Sequence, residues 1–79
     1  MKVTLDQINT AWNNFRKYTE TAEQHEFVKL AMFQMRVEPL YEDLCKNWDD
    51  HHAEVFMKGM QFAAKYFGFE VPDISEKGE

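Results

Sequence analysis

The side chains of this chain that could bind a metal ion are concentrated in one short stretch. That stretch contains Asp49, Asp50, His51, His52 and Glu54. Carboxylates and imidazoles are common metal ligands. On a helix, however, adjacent side chains point about 100° apart, so His51 and His52 do not face the same ion. His25 would have to come from another helix, and His52 shares an apolar arc with Phe56, which favours a packed core histidine. We therefore predict no metal site and no cofactor.

Nucleophilic catalysis would need an activated cysteine or serine beside a base. The only cysteine, Cys45, lies on the predicted apolar face between Tyr41 and Trp48, where a thiol behaves as a small hydrophobic group. The only serine, Ser75, falls in the C-terminal tail. We predict that the protein is not an enzyme. A single cysteine also fits a reducing compartment, so we expect a cytoplasmic location.

Negative charge is concentrated in residues 38–54, which we call the acidic segment. It contains six carboxylates and one base, Lys46, so its formal charge of −5 equals that of the whole chain. Eight acids and eight bases balance in the rest of the sequence. One interpretation is a face that docks on a basic surface of a protein partner. The other is that these acids only stabilise the first turns of predicted helices.

The first interpretation assigns partner binding to eight residues of the acidic segment. They are Glu38, Tyr41, Glu42, Asp43, Trp48, Asp49, Asp50 and Glu54. Tyr41 and Trp48 would be the anchors, because aromatic side chains dominate binding energy at interfaces. The expected partner is a protein with a basic surface, such as a nucleic-acid-binding protein. Direct nucleic-acid binding is not expected at a net charge of −5, and the absence of an 18-residue uncharged run predicts no membrane span.

The spacing of apolar residues predicts an all-α fold, because they recur every three or four positions along most of the chain. We predict a small bundle of about four helices, over approximately 5–19, 22–37, 39–48 and 51–67. Thr4 and Gln7 form the capping-box pattern before the first helix. Pro39 is expected to begin the third helix, since proline suits a first turn and not a helix interior.

The predicted second helix is apolar over about 260° of its circumference. A helix that is apolar almost all round belongs in the centre of a structure. We therefore expect the second and fourth helices to be central, or a homodimer to bury the remaining apolar face. The single domain would span 1–69, with Gly68 as the left-handed residue that ends the last helix. Residues 70–79 are predicted to be a partly disordered tail.

The methionines and phenylalanines of the second and fourth helices allow two interpretations. They could form the core, or they could line an adaptable groove for a partner helix. Together these features favour a non-catalytic protein-binding module, of the kind that phage and mobile-element genes use as small inhibitors or regulators. The alternatives are a small-ligand- or metal-binding helical bundle and a structural subunit of a homo-oligomer.

Overall fold

Three α-helices account for most of residues 3–72, the part of the chain that the computed structural model describes. They are α1 (Leu5–Thr21), α2 (Phe27–Lys46) and α3 (Asp50–Ala63). A short 3₁₀ turn, Gln24–Glu26, precedes α2, and a π-helical turn, Ala64–Gly68, continues α3. No strand lies within residues 3–72. The predicted all-α class is confirmed, but the predicted number of four helices is wrong.

The predicted break at Pro39 does not occur, because α2 runs without interruption from Phe27 to Lys46. A proline inside a helix loses one backbone hydrogen bond and crowds the preceding turn. Here both halves of the helix are held by packing, since Leu30 and Leu44 are each 2 % exposed in the same core. Tertiary contacts on either side of Pro39 therefore outweigh its local penalty, and the predicted helices 22–37 and 39–48 are one element.

Side-chain caps define where α1 and α3 begin. Thr4 Oγ1 accepts a hydrogen bond from the Gln7 backbone N–H at 3.2 Å, and the Thr4 N–H donates to Gln7 Oε1 at 3.0 Å. The predicted capping box is therefore confirmed. Asp49 caps α3 by accepting from the backbone N–H of His52 at 3.0 Å. Each cap satisfies a backbone donor that has no partner within its helix.

The three helices run alternately up, down and up. At one end of the molecule the Tyr18 hydroxyl of α1 lies 2.7 Å from Glu26 Oε1, before α2, and 2.9 Å from the Phe67 carbonyl oxygen, after α3. Its single proton is shared between these two acceptors, and the hydrogen bond to Glu26 raises the pKa of Tyr18 above its ordinary value. We call this the Tyr18 end. At the opposite end α2 and α3 are joined by only residues 47–49.

The core is supplied mainly by α1 and α3. Its fully buried large side chains are Ile8, Phe15, Phe56, Met57 and Met60. By contrast, α2 buries only Leu30 and Leu44 completely. The expectation that the second helix is central is therefore wrong. A helix packed against two others buries one face, so the remaining apolar residues of α2 stay at the surface.

A cluster of aromatic rings joins α1 to every other element. The Trp12 ring stacks on Tyr41 of α2 with centroids 5.0 Å apart, and lies 6.4 Å from Phe56 of α3. The Phe15 ring lies 5.3 Å from Phe33 of α2 and 5.6 Å from Phe69, which follows the last helical turn. Such offset and edge-to-face pairs add stability beyond the burial of their area.

Gly68 ends the helical part of the chain with a backbone φ of +109°. Residues with a side chain rarely adopt this conformation, so the predicted left-handed role of Gly68 is confirmed. Phe69 then folds back on Tyr18, with ring centroids 5.7 Å apart. Of the predicted tail, Glu70 accepts a hydrogen bond from the Asn14 side-chain amide at 3.0 Å. Residues 73–79 of that tail lie outside the described residues.

The continuity of α2 can be tested by replacing Pro39 with alanine. The change restores a backbone donor and removes the ring from the helix interior, so the free energy of unfolding should rise by about 2 kcal/mol. Urea unfolding followed by circular dichroism measures this difference. The matched control is Ala31→Pro, at another exposed position of α2, which should destabilise by about 3 kcal/mol. Loss of stability in Pro39→Ala would instead indicate a helix that begins at the proline.

Candidate protein-binding surfaces

The acidic segment covers the end of α2, the connection and the start of α3. Glu38, Glu42 and Asp43 lie in the C-terminal half of α2. The other three carboxylates belong to the cap and the first turns of α3. Asp43 and His52 line the same small cavity of about 60 Å³, so the two helices meet closely here. The fold therefore places all six acids in the half of the molecule away from the Tyr18 end, and we call the surface that they occupy the acidic corner.

The carboxylates at the start of α3 each have a local structural partner. Asp49 is the helix cap. Asp50 Oδ1 accepts a hydrogen bond from the indole Nε1 of Trp48 at 2.7 Å. Glu54 lies 3.4 Å from Lys58 Nζ, one turn further along the helix. These residues fit the interpretation that acids stabilise the first turn of a helix.

Glu42 and Asp43 do not fit that interpretation. They lie in the last two turns of α2, where the negative end of the helix dipole disfavours a carboxylate. Both side chains are exposed. Within residues 3–72 neither carboxylate has an ion-pair or hydrogen-bond partner. The contacts within residues 3–72 therefore give these two charges no structural role.

The two predicted anchors have different surroundings. Tyr41 is half-buried, stacks on Trp12 and donates its hydroxyl proton to Asn9 Oδ1 at 2.6 Å. Burial raises the pKa of the Tyr41 hydroxyl. Trp48 is 39 % exposed and, with Leu5, lines a shallow groove of about 530 Å³ beside Asp50. Only Trp48 is therefore placed to contact a partner, because the Tyr41 ring is occupied by the core.

The histidines are not gathered into a ligand set. His25 precedes α2 and His51 follows it, so the length of α2, about 30 Å, separates them. Within residues 3–72 no three side chains of histidine, cysteine, aspartate or glutamate lie close enough together to hold a metal ion. The expectation that His52 packs in the core is wrong, since its imidazole is 58 % exposed and lies 3.5 Å from Asp49 Oδ1.

The thiol of Cys45 is exposed, and the predicted position on an apolar face is wrong. That prediction assumed that the helix buries a broad apolar face. The helix α2 instead completely buries only Leu30 and Leu44, each with 2 % exposure. An adjacent helical residue is rotated by about 100°, which turns Cys45 toward solvent.

The methionines and phenylalanines, for which the sequence allowed a core or a groove, are divided between the two. Met57, Met60 and Phe56 are core residues, whereas Met32 and Phe62 are exposed. These two line a groove of about 390 Å³ between α2 and the end of α3, which we call the Phe62 groove. The sequence interpretation missed its other lining residues, which include Lys29, Arg36 and Tyr66. The seven-residue spacing of Lys29 and Arg36 could have indicated these lining residues, because it places both cations on one side of α2.

None of the helices described between residues 3 and 72 is long and apolar enough to cross a membrane. Comparison with protein-family models, with curated protein sequences and with solved structures gives no match.

The Asp49 cap gives a pH-dependent contribution to stability. The hydrogen bond from the His52 backbone N–H lowers the pKa of Asp49 below its ordinary value. A carboxyl group whose pKa is lower in the folded state stabilises the fold above the unfolded pKa, and this effect is lost as the pH falls through the folded pKa. The stabilisation is thus present at pH 7 and disappears in acid, below about pH 4.

We expect Asp49→Ala to lower the midpoint of thermal unfolding at pH 7, because α3 loses its cap. Asp49→Asn should lower it less, since the amide oxygen still accepts the hydrogen bond. As the melts are repeated at progressively lower pH, wild type and Asp49→Asn should converge, because the Asp49 carboxylate becomes protonated as the pH falls through its lowered folded-state pKa. If Asp49→Ala has the same midpoint of thermal unfolding as wild type at pH 7, Asp49 does not stabilise α3 as a cap.

Proposed function

We propose that this protein is a non-catalytic protein-binding module whose acidic corner covers a basic surface of a partner protein. The main support is that Glu42 and Asp43 are exposed at the C-terminal end of α2, and that within residues 3–72 neither carboxylate has an ion-pair or hydrogen-bond partner. Exposed carboxylates at that position cost stability and do not serve the fold. A partner with lysine or arginine side chains would supply the missing counter-charges.

Trp48 gives this surface an apolar centre. Its ring is partly exposed between the acids of α2 and those of α3, and it shares a shallow groove with Leu5. Interfaces are typically built from a few aromatic anchors surrounded by a polar rim. In the proposed complex Trp48 is the anchor and Glu38, Glu42, Asp43 and Asp50 form the rim. The charges act mainly on the association rate and the choice of partner, so binding weakens as salt rises.

The partner class follows from the charge. A surface built from a segment of formal charge −5 is complementary to proteins that bind nucleic acids, because those proteins expose clustered lysine and arginine. A small chain that occupies such a surface would act as an inhibitor or a regulator, as small phage and mobile-element proteins do. A reducing, cytoplasmic location belongs to the same proposal.

A homodimer is a further part of this proposal. The exposed apolar side chains of α2 include Val28, at 69 % exposure, and Met35, at 74 %. Both lie on the side of α2 opposite its buried residues, and such a stripe is typical of helix–helix association. Light scattering after size exclusion should give twice the monomer mass for wild type and the monomer mass for Met35→Glu. A wild-type monomer at high concentration would remove the dimer from the proposal.

The acidic corner is tested by neutralising the two unpaired carboxylates. In Glu42→Gln/Asp43→Asn the partner should associate about tenfold more slowly, because electrostatic steering is lost. Helicity should be unchanged or slightly raised, since these charges oppose the helix dipole. The readout is retention of proteins from a lysate of the source cells on immobilised chain, compared between variants at low and high salt.

The matched control is Glu20→Gln/Glu23→Gln, which removes two exposed charges from the Tyr18 end. It should retain the same proteins as wild type. If both double variants lose binding equally, net charge alone is responsible and the acidic corner is not the site. If Glu42→Gln/Asp43→Asn retains every protein at wild-type levels, the proposal fails.

A further inference from the structure

We infer that the Phe62 groove binds an amphipathic helix of a partner protein, and that this helix carries acidic residues along one edge. The groove lies between α2 and the C-terminal end of α3 and has a volume of about 390 Å³. It is lined by apolar side chains from both helices and by two cations from α2. The proposal therefore concerns a second surface, opposite in charge to the acidic corner.

The apolar lining of the groove is unusually exposed for a chain of this size. Phe62 is 74 % exposed, Tyr66 60 % and Met32 53 %. Contiguous apolar surface of this kind marks interaction sites on small proteins. Methionine and aromatic side chains also adapt well to the apolar face of a bound helix.

The shape of the site suits a helix. The helices α2 and α3 are antiparallel neighbours, and α1 packs against both of them. The groove is lined only by residues of α2, α3 and the following π-helical turn, so α1 does not cover it. A third helix laid between α2 and α3 would place its apolar ridge in this groove, as in a helical bundle.

Two cations define the edge of the groove on α2. Lys29 Nζ lies 3.1 Å from the Tyr66 hydroxyl and 5.6 Å from the centroid of its ring, which fixes the ammonium group at the mouth of the groove. Arg36 is seven residues further along the same side of α2, a rise of about 10 Å. A helix bound alongside would match both charges with two carboxylates seven positions apart.

The charge on the other side of Phe62 is close to balanced. Lys58 of α3 and Lys65 of the π-helical turn line a neighbouring concavity with Phe62 and Glu70, and Lys58 is paired with Glu54. The positive charge beside the groove therefore comes mainly from Lys29 and Arg36, on the α2 edge. These two cations favour an acidic helix over a basic one.

The charge spacing argues for another protein and against a second copy of this chain. Within residues 3–72 no helix carries two carboxylates seven positions apart. The acids of α2 and α3 are instead separated by the connection at residues 47–49.

The test uses two labelled synthetic peptides and the full chain. Both peptides are amphipathic helices of about five turns with the same leucine stripe, and they differ at two positions spaced seven apart. One peptide has glutamate at those positions and the other has lysine. Fluorescence anisotropy should show that the glutamate peptide binds at least tenfold more tightly. Only binding that Phe62→Ser weakens is counted, because the lysine peptide can also bind at the acidic corner.

Two variants of the groove and one control variant test whether the peptide binds in the groove. Phe62→Ser should weaken binding of the glutamate peptide about tenfold, because it removes an apolar wall. Lys29→Glu/Arg36→Glu should reverse the preference in favour of the lysine peptide. The matched control Arg16→Glu/Lys17→Glu, on the exposed side of α1, should keep the wild-type preference. Circular dichroism checks that each variant is as helical as wild type.

Several outcomes would overturn the inference. Equal binding of the two peptides, or no binding of either, removes the acidic helix as the occupant. A wild-type dimer that Phe62→Ser dissociates identifies a second copy in the groove instead. Binding to vesicles with anionic lipid that is lost in Phe62→Ser identifies a lipid surface. Because the acidic corner is intact in all of these variants, failure here is distinguishable from failure of the proposed function.

Discussion

The structure depends on the packing of two rings of α1, Trp12 and Phe15, against an aromatic ring from every other part of the fold. Trp12 stacks on Tyr41 of α2, and Phe15 contacts both Phe33 of α2 and Phe69 beyond the last helical turn. A chain of 79 residues buries only a modest share of its surface, so a few large side chains must supply most of the hydrophobic stabilisation. Because α1 carries both rings, it determines which faces of α2 and α3 become the core.

The packing of aromatic rings against α1 also determines which acids of α2 are exposed. The stack of Tyr41 on Trp12 holds the C-terminal half of α2 in the core beyond Pro39. Once Tyr41 and Leu44 point inward, the intervening Glu42 and Asp43 point toward solvent, since successive helical residues are rotated by about 100°. The exposure of the two unpaired carboxylates is therefore a consequence of aromatic packing on the opposite side of the same helix.

Local signals in the sequence predicted the parts of the fold that local interactions determine. The Thr4 cap and the Gly68 terminus follow from the backbone chemistry of single residues, and both are confirmed. The continuity of α2 depends on contacts between residues far apart in sequence, which offset the cost of a proline inside a helix. The residues next to Pro39 in the sequence do not indicate those contacts. The exposure of Met32 and Phe62 was likewise missed, because periodicity shows that a helix has apolar residues on several faces but not which face meets its neighbours. The acids of the corner could be identified by charge alone, whereas the Phe62 groove required knowing that α2 and α3 are adjacent.

The continuity of α2 has a further consequence, because one rigid helix carries parts of both surfaces. Its N-terminal half supplies the cations Lys29 and Arg36 to the groove, and its C-terminal half supplies Glu42 and Asp43 to the corner. From Lys29 to Glu42 the helix rises by about 20 Å, but Arg36 of the groove and Glu38 of the corner are only two residues apart, so the two surfaces adjoin in the middle of α2. Two separate helices joined at Pro39 would have left the spacing and orientation of these charges free to vary. In the observed fold the uninterrupted helix fixes both, so a basic partner and an acidic helix can be held at defined positions on one small chain.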